Sequence, residues 1–207
     1  MKKSILVLFS IILFGCSPAI FKKKWTEETA PESYTTRFET NKGNFDIKVT
    51  RSLSPKAADR FYQLVKHSYF DDVLFYRVNP GFVAQFGASD SLKRQAWDNV
   101  NVPDEKTVQS NVRGTLSFAR GEKDTRTTDL FINLGDNSRL DTIYYQEVTG
   151  FPAFGEVIQG MSVVDSLYSG YSDTVMQDFG LMTQDRPKFL MKYPKLDKIE
   201  KAYLLGQ

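Results

Sequence analysis

Five short apolar segments between residues 73 and 158 govern what this chain can fold into. Each holds five or six residues, and Asn-Pro-Gly, Gly and Asp/Asn clusters separate them, as in chains of strands joined by turns. The pattern predicts strands of a β-barrel. The segments are 73–78, 82–87, 115–119, 130–134 and 154–158.

The residues before these segments predict a β-hairpin. Phe45, Ile47 and Val49 alternate with polar residues, which is the period of a strand with one buried face. Residues 41–43, Asn-Lys-Gly, supply a turn from a preceding strand that includes Phe38. The chain therefore enters its folded part near residue 34 as two paired strands.

One helix is predicted over residues 55–67. Ser54 is suited to the N-cap and Pro55 to the first helical position, and apolar residues then recur on one helical face. The same spacing predicts a second helix over 161–168, and a last strand is expected near 198–205. Because no internal repeat and no second linker interrupt the chain, we expect one domain over residues 34–207.

Composition excludes several classes of protein. The chain has 207 residues, 41% of them hydrophobic and 14% aromatic, which favours a packed β-rich core over disorder or a coiled coil. The 27 basic and 25 acidic residues nearly cancel, so the chain lacks the basic surface that nucleic acid requires. We expect no nucleic-acid partner.

The chain has one cysteine and one histidine, which restricts the chemistry further. A Cys/His zinc site needs about four such ligands, and a nucleophilic triad needs a histidine beside its Ser or Cys. We expect no metal and no cofactor. His67 falls at the predicted end of the first helix, where a cation complements the helix dipole, so capping is favoured over catalysis.

The N-terminus has the features of a secretory signal. Lys2 and Lys3 precede the apolar run 5–14, which is too short to span a bilayer. The run ends in Leu-Phe-Gly-Cys, which resembles a bacterial lipobox, so residues 1–15 are expected to be removed and Cys16 to carry a diacylglycerol. The alternative is a plain signal peptide that contains a chance cysteine.

Residues 16–33 are expected to form the lipidated Cys16 and a flexible tether, since Pro, Thr, Glu and Lys occur there without periodicity. Lys22 to Lys24 would either contact anionic headgroups or remain part of a solvated tether. The expected location is the bacterial cell envelope, with the domain lipid-anchored to a membrane on its periplasmic or surface-facing side.

The order of elements and five ordered motifs resemble cyclophilin-type peptidyl-prolyl isomerases. Residues 75–85, FYRVNPGFVAQ, resemble the signature F-x-R-x-x-P-G-F followed by a hydrophobic pair and Gln. Residues 114–119 resemble the G-x-L-S-M-A strand, 130–133 the Q-F-F-I strand, 140–141 the W-L-D loop and 154–157 the V-F-G-x-V segment. The resemblance covers residues 35–204.

The resemblance implies a mainly β fold, an eight-stranded antiparallel barrel capped by two α-helices. It implies rotation of X-Pro bonds in proline-containing polypeptides, with Arg77 and Gln85 as catalytic residues and no cofactor. The protein is expected to be a monomer. The substrate-binding residues implied are Phe82, Val83, Ala119, Arg120, Asp129, Phe131, Leu140 and Phe151.

Arg77 suits the chemistry of the reaction. In the twisted transition state the imide nitrogen gains a lone pair, and a guanidinium N–H can donate to it, whereas the planar ground state offers no such acceptor. Arginine is always charged, and a neighbouring amide such as that of Gln85 can hold its rigid fork. The bland alternatives are a surface arginine in a salt bridge and, for Phe82 and Phe131, ordinary core aromatics.

The chain departs from the family pattern at several positions. Asp129 stands where Gln is usual, Arg120 where Asn is common and Arg139 where many members have Trp. Arg120 and Arg126 are close enough in sequence to compensate the charge of Asp129. Residues 171–196 extend beyond the compact family pattern and receive no role.

Two alternative functions remain open besides isomerase activity. Asp129 motivates the first, a degenerate cyclophilin-like module that binds proline-containing segments without turnover. The second is a structural lipoprotein of unrelated β fold.

Overall fold

A computed structural model describes residues 19–88 and 91–206. Cys16 and the expected signal peptide lie outside these residues. The described strands are β1 (Ser33–Thr40), β2 (Gly43–Thr50), β3 (Phe75–Asn79), β4 (Val83–Phe86), β5 (Thr115–Phe118), β6 (Leu130–Asn133), β7 (Tyr144–Tyr145), β8 (Val148–Thr149), β9 (Ala153–Gln159) and β10 (Ile199–Leu204). The described α-helices are α1 (Pro55–Lys66), α2 (Ser91–Asp98), α3 (Met161–Asp165), α4 (Phe179–Gln184) and α5 (Arg186–Lys192).

Over the described residues, eight strands form one curled antiparallel sheet in the order β10-β1-β2-β9-β5-β6-β4-β3. The two edge strands approach each other just before they begin. There the Phe75 N–H donates to the Asp197 carbonyl at 2.9 Å, and the Ile199 N–H donates to the Val73 carbonyl at 2.8 Å. The predicted antiparallel eight-stranded fold is confirmed. β7 and β8 form a separate two-stranded ribbon.

The predicted hairpin is confirmed. β1 pairs with β2 in a register that places Phe38 opposite Phe45, and Thr40 opposite Gly43 closes the turn. Gly43 has a φ of 124°, a conformation that side chains disfavour. The alternation seen in the sequence therefore places Phe45, Ile47 and Val49 in the core, where each is at most 1% exposed.

Phenylalanine rings fill the centre of the curled sheet. The ring of Phe38 lies within 6.0 Å, centroid to centroid, of four others, those of Phe45, Phe61, Phe70 and Phe86. Such pairs are favourable beyond the apolar area that they bury. The aromatic content of the sequence is thus used in one continuous core between the sheet and α1.

α1 begins where the sequence predicts, although a different residue caps it. Pro55 is the first helical residue, but the hydroxyl of Ser54 makes no capping bond and instead donates to the Glu105 carboxylate. The same carboxylate accepts the N–H groups of Lys56, at 2.9 Å, and Ala57, at 3.2 Å. A side chain remote in sequence satisfies the helix terminus, because its two oxygens can accept several donors together.

The expected flexible tether over 16–33 is wrong for its described part. A 3₁₀ helix forms over Lys23–Glu27 and places the Trp25 ring parallel to the His67 ring, with centroids 4.0 Å apart. Phe21 packs on Trp97 at 5.1 Å. These aromatic contacts, invisible to periodicity, dock the segment on α1 and α2.

His67 lies at the C-cap of α1, as predicted. Its Nε2 lies 3.1 Å from the Glu28 carboxylate, which also accepts from Lys66 at 3.0 Å. The histidine therefore joins the N-terminal segment to the end of the helix.

The second predicted helix is shorter than expected. α3 ends at Asp165 rather than at 168, because the Tyr168 N–H donates to the Asp197 carboxylate at 2.6 Å instead of continuing the helix. Residues 171–192, named here the C-terminal helical segment, form a 3₁₀ helix (Ser172–Asp178) followed by α4 and α5. Neither these helices nor α2 are predicted from the sequence.

Within the described residues, no helix combines the length and the apolar character needed to cross a membrane.

We expect Glu105→Ala to lower the free energy of unfolding by about 2 to 4 kcal/mol. The change removes the cap of α1 and also leaves the buried Arg126, whose Nη2 lies 3.2 Å from Glu105, without that partner. Urea unfolding followed by circular dichroism measures the effect. Glu200→Ala, at an exposed site on β10, is the control, and equal stability of the two variants would contradict the capping role.

Candidate active site

The register of three neighbouring strands separates core residues from site residues. β4 pairs with β3 and β6, so that Gln85 lies opposite both Arg77 and Phe131. Because successive strand residues point to opposite faces, Ala84 and Phe86 enter the phenylalanine core while Gln85 faces the other side. The outer face of these strands thus carries the candidate site.

An apolar cavity of about 180 Å³ lies on this face. Phe131 and Leu140 form its buried wall together with Val83, and half-buried aromatics border it. The structure brings nine of the ten predicted site residues to this one cavity. They are Arg77, Phe82, Val83, Gln85, Ala119, Arg120, Phe131, Leu140 and Phe151.

Arg77 lies at the edge of the apolar cavity and is held by Gln85. Its Nη1 donates to the Gln85 Oε1 at 3.1 Å. Its Cζ lies 5.5 Å from the centre of the Phe82 ring, and the Cζ of Arg139 approaches the same ring at 4.9 Å. The predicted pair of guanidinium and amide therefore exists, and Arg139 contributes a second cation beside the aromatic wall.

The turn between β3 and β4 places Phe82 at the site. The Phe82 N–H donates to the Asn79 carbonyl at 2.9 Å, and Gly81 has a φ of 74°. Pro80 before a glycine with positive φ is typical of a type II turn, at a place where the sequence predicts a turn.

Arg120 forms a wall of the cavity, but its donors point away from it. Its guanidinium donates to the carbonyls of Tyr145, Val148 and Gly150 at 2.9 to 3.2 Å. Its Cζ also lies 4.5 Å from the Phe151 ring. Arg120 therefore holds the β7–β8 ribbon and the aromatic residue that follows it.

Asp129 lies in a neighbouring cavity of about 400 Å³ rather than in the apolar one. Its Oδ2 lies 2.8 Å from Nη2 of Arg94, and the Tyr76 hydroxyl donates to its Oδ1 at 3.4 Å. The expected pairing with Arg120 or Arg126 is wrong, because α2 brings a different cation to the carboxylate. Asp129 is thus paired with Arg94 rather than with Arg77. This pairing removes the reason for expecting a binding module without turnover.

A buried polar network lies beneath the apolar cavity and was not predicted from the sequence. Asn137 donates to the Phe82 carbonyl and to the Asn133 Oδ1, both at 2.7 Å. Asn111 donates to the Phe151 carbonyl and to the Asp141 Oδ1, both at 2.8 Å. The network fixes the backbone of both bordering aromatics. The signal that the sequence offered for it was a polar residue, Asn133, inside the apolar segment 130–134.

The C-terminal helical segment also reaches the site. Asp173 Oδ1 lies 2.6 Å from the Nε of Arg77 and accepts from the Asn79 side chain at 2.9 Å. Nothing in the sequence placed this carboxylate, which lies 96 residues from Arg77, at the site.

Comparison with known proteins agrees with the fold. Residues 35–188 match the sequence profile of the family described as "Cyclophilin type peptidyl-prolyl cis-trans isomerase/CLD". Peptidyl-prolyl cis-trans isomerase A of Dickeya dadantii is 34% identical over 138 residues, which are 66% of this chain and 72% of that protein. Peptidyl-prolyl cis-trans isomerase B of Escherichia coli is 30% identical over 133 residues, 63% of this chain and 81% of the relative.

A solved structure shares the fold. A cyclophilin-type isomerase from Cryptosporidium parvum, crystallised in the presence of the dipeptide Ala-Pro, superposes with a TM-score of 0.58 at 19% identity. The superposition covers 84% of this chain and 99% of that one.

The chain belongs to the cyclophilin-type peptidyl-prolyl isomerase family. Its activity is accordingly peptidyl-prolyl cis-trans isomerisation.

We expect the wild type to lose stability relative to Asp129→Asn as the pH rises. Burial raises the pKa of Asp129 above its usual value of 3.8, more than Arg94 lowers it. The folded state therefore keeps the proton to higher pH than the unfolded chain, and its stabilising effect is lost as the carboxyl ionises. Urea unfolding between about pH 4 and pH 7 measures the difference.

Asp136→Asn is the matched control for this trend. Hydrogen bonds from Ser138 lower the pKa of Asp136, so the wild type should gain stability over this variant with rising pH. A stability difference between wild type and Asp129→Asn that grows with pH in favour of the wild type would contradict the assignment.

Proposed function

We propose that Arg77 catalyses rotation of an X-Pro bond whose proline ring occupies the apolar cavity. The ground-state imide is planar, and its resonance gives a barrier near 20 kcal/mol. When the bond twists, the imide nitrogen becomes pyramidal and can accept an N–H from the guanidinium. The interaction exists only in the transition state, which is the condition for acceleration.

The single observation that carries this proposal is the position of Arg77. A permanently charged fork, held by Gln85 at 3.1 Å, lies on the rim of a cavity whose walls are otherwise mostly apolar, apart from Gln85 and Arg120. A charged hydrogen bond contributes about 1.5 to 3 kcal/mol, or roughly ten- to a hundredfold in rate. The remaining acceleration comes from the apolar walls, which exclude water and hold the ring while the preceding carbonyl swings.

The remaining cavity residues act as binding residues in this proposal. Val83, Phe131 and Leu140 receive the proline ring, while Phe82 and Phe151 border it. Ala119 and Arg120 lie between this cavity and the one that contains Asp129. A substrate residue preceding the X-Pro pair would meet Asp129 as an ion pair with Arg94 rather than as a free carboxylate.

We further propose that the isomerase assists the folding of envelope or secreted proteins from a lipid anchor on Cys16. The apolar run that ends in Leu-Phe-Gly-Cys supports this, as does the docking of Phe21 on the domain. Five residue steps separate Cys16 from Phe21, so an anchored domain lies within about 18 Å of the lipid attachment. Lys22 to Lys24 are exposed beside it and suit anionic headgroups.

We expect Arg77→Ala to lower kcat/KM at least tenfold without unfolding the protein. Arg77→Lys should also be slow, because a flexible ammonium lacks the planar fork. A protease-coupled assay with an Ala-Pro peptide measures the rate, and circular dichroism checks the fold.

Arg37→Ala is the matched control for Arg77→Ala. Arg37 also lies on a strand and donates from Nε to a carboxylate, that of Asp46 at 2.8 Å, but it belongs to β1. Its replacement should leave turnover unchanged. Near-normal turnover of the Arg77→Ala protein would overturn the proposed mechanism.

Replacement of Cys16 by Ser should release the protein from membranes, since no other residue can carry the thioether-linked lipid. Fractionation of cells by centrifugation, followed by immunoblotting, measures the release. Ser17→Ala, which leaves the cysteine intact, should remain membrane-bound. Sedimentation of the Cys16→Ser protein with membranes after a high-salt wash would show that the anchor assignment is wrong.

A further inference from the structure

The C-terminal helical segment supplies a second contact to the arginine of the active site. We propose that Asp173 is a positioning residue for the isomerase, whose carboxylate fixes the plane of the Arg77 guanidinium at the apolar cavity. The inference rests on the proposed catalytic role of Arg77.

The contact is short and is tied to β3 at two positions. Asp173 Oδ1 accepts from the Arg77 Nε at 2.6 Å and from the Asn79 Nδ2 at 2.9 Å. The Ser172 hydroxyl in turn donates to the Asn79 Oδ1 at 2.6 Å. Ser172 and Asp173 therefore form hydrogen bonds with two outward-facing residues of β3.

Two acceptors on different nitrogen atoms hold the guanidinium better than one. Gln85 accepts only from Nη1, and one hydrogen bond leaves the plane of the guanidinium free to rotate about it. With Nε held by Asp173 as well, both the position and the plane of the fork are defined. Reacting groups held in the productive geometry lower the barrier because that order is present before the reaction begins.

Packing of the segment, rather than the ion pair, decides where Asp173 lies. Val175 and Phe189 are fully buried and form a separate small core with Tyr76, which projects from β3 next to Arg77. Asp173 itself is 65% exposed, so an isolated ion pair there would contribute little. The packing of these buried residues, rather than the ion pair, therefore holds the Asp173 carboxylate beside Arg77.

The geometry favours support of the guanidinium over its withdrawal. Asp173 takes Nε, the nitrogen closest to the main chain, and Gln85 takes Nη1. Among the described residues, Nη2 has no hydrogen-bond partner, so a donor remains for the imide nitrogen. With Asp173 bound, Arg77 still lines the apolar cavity.

Asp173 is ionised under the conditions of the reaction. Hydrogen bonds from Asn79 and then from Arg77 lower the pKa of its carboxyl below the usual value. The contact is therefore a charge-assisted hydrogen bond at neutral pH, and neutral substitutes should weaken it.

A double-mutant cycle on the full chain tests the proposal. Asp173→Ala should lower kcat/KM about three- to fivefold in the wild-type background. Asp173→Asn keeps an acceptor oxygen, so its kcat/KM should lie between those of the wild type and Asp173→Ala. In the Arg77→Ala background, Asp173→Ala should have no further effect, because a positioning residue acts only through its partner. Equal losses in both backgrounds would mean a structural role and would overturn the proposal.

The matched control is Asp178→Asn. Asp178 lies in the same 3₁₀ helix, pairs with Lys192 at 2.5 Å and is not among the residues that line the apolar cavity. It should leave kcat/KM within about twofold of the wild type. A loss equal to that of Asp173→Asn would show that any disturbance of the segment reaches the site and would overturn the specific role of Asp173.

Nuclear magnetic resonance provides a readout that does not depend on activity. The Nε–Hε group of Arg77 should give an ordered, slowly exchanging signal in the wild type, and Asp173→Ala should make it mobile. An unchanged signal, or faster turnover of Asp173→Ala than of the wild type, would contradict positioning. If Arg77→Ala itself retains full activity, the proposed mechanism fails instead, so the two failures are distinguishable.

Discussion

The register among β3, β4 and β6 is the constraint on which the rest of this structure depends. Because alternate residues face opposite sides of a strand, one register sends Ala84 and Phe86 into the phenylalanine core and leaves Gln85 on the outer face beside Arg77. A slip of one residue would bury the polar side chains and expose the aromatic ones. Stability of the core and construction of the active site are therefore consequences of the same hydrogen-bonded ladder.

Side chains remote in sequence complete what the sheet begins. The Asn111 and Asn137 amides hold the carbonyls of the two aromatics that border the cavity, Phe151 and Phe82. Arg120 does the same for the β7–β8 ribbon. Such contacts replace water around buried polar groups and make the walls of the cavity rigid. Rigid walls are required because the cavity must hold the proline ring while the bond rotates.

Two segments outside the sheet pack against the domain in different places. The N-terminal segment docks through Trp25 and Phe21 on the side of α1 and α2. The C-terminal helical segment covers β3 and brings Asp173 to Arg77. The first segment therefore lies beside the helices, and the second reaches the arginine of the candidate active site. Both depend on aromatic side chains that pack independently of the sheet's hydrogen bonds.

Local pattern determined the hairpin, the strands of the large sheet and α1, because alternation and turn residues act over a few neighbouring residues. The residues of the cavity came from the resemblance of the ordered motifs to the cyclophilin family. The sequence draws attention to Asp129, but its partner Arg94 comes from α2, which the sequence did not predict. Glu105 at the start of α1 and Asp173 at Arg77 are likewise decisions of the tertiary structure. Each joins charges separated by tens of residues, and Coulombic and hydrogen-bond partners depend on distance in space, which the order of residues along the chain does not contain.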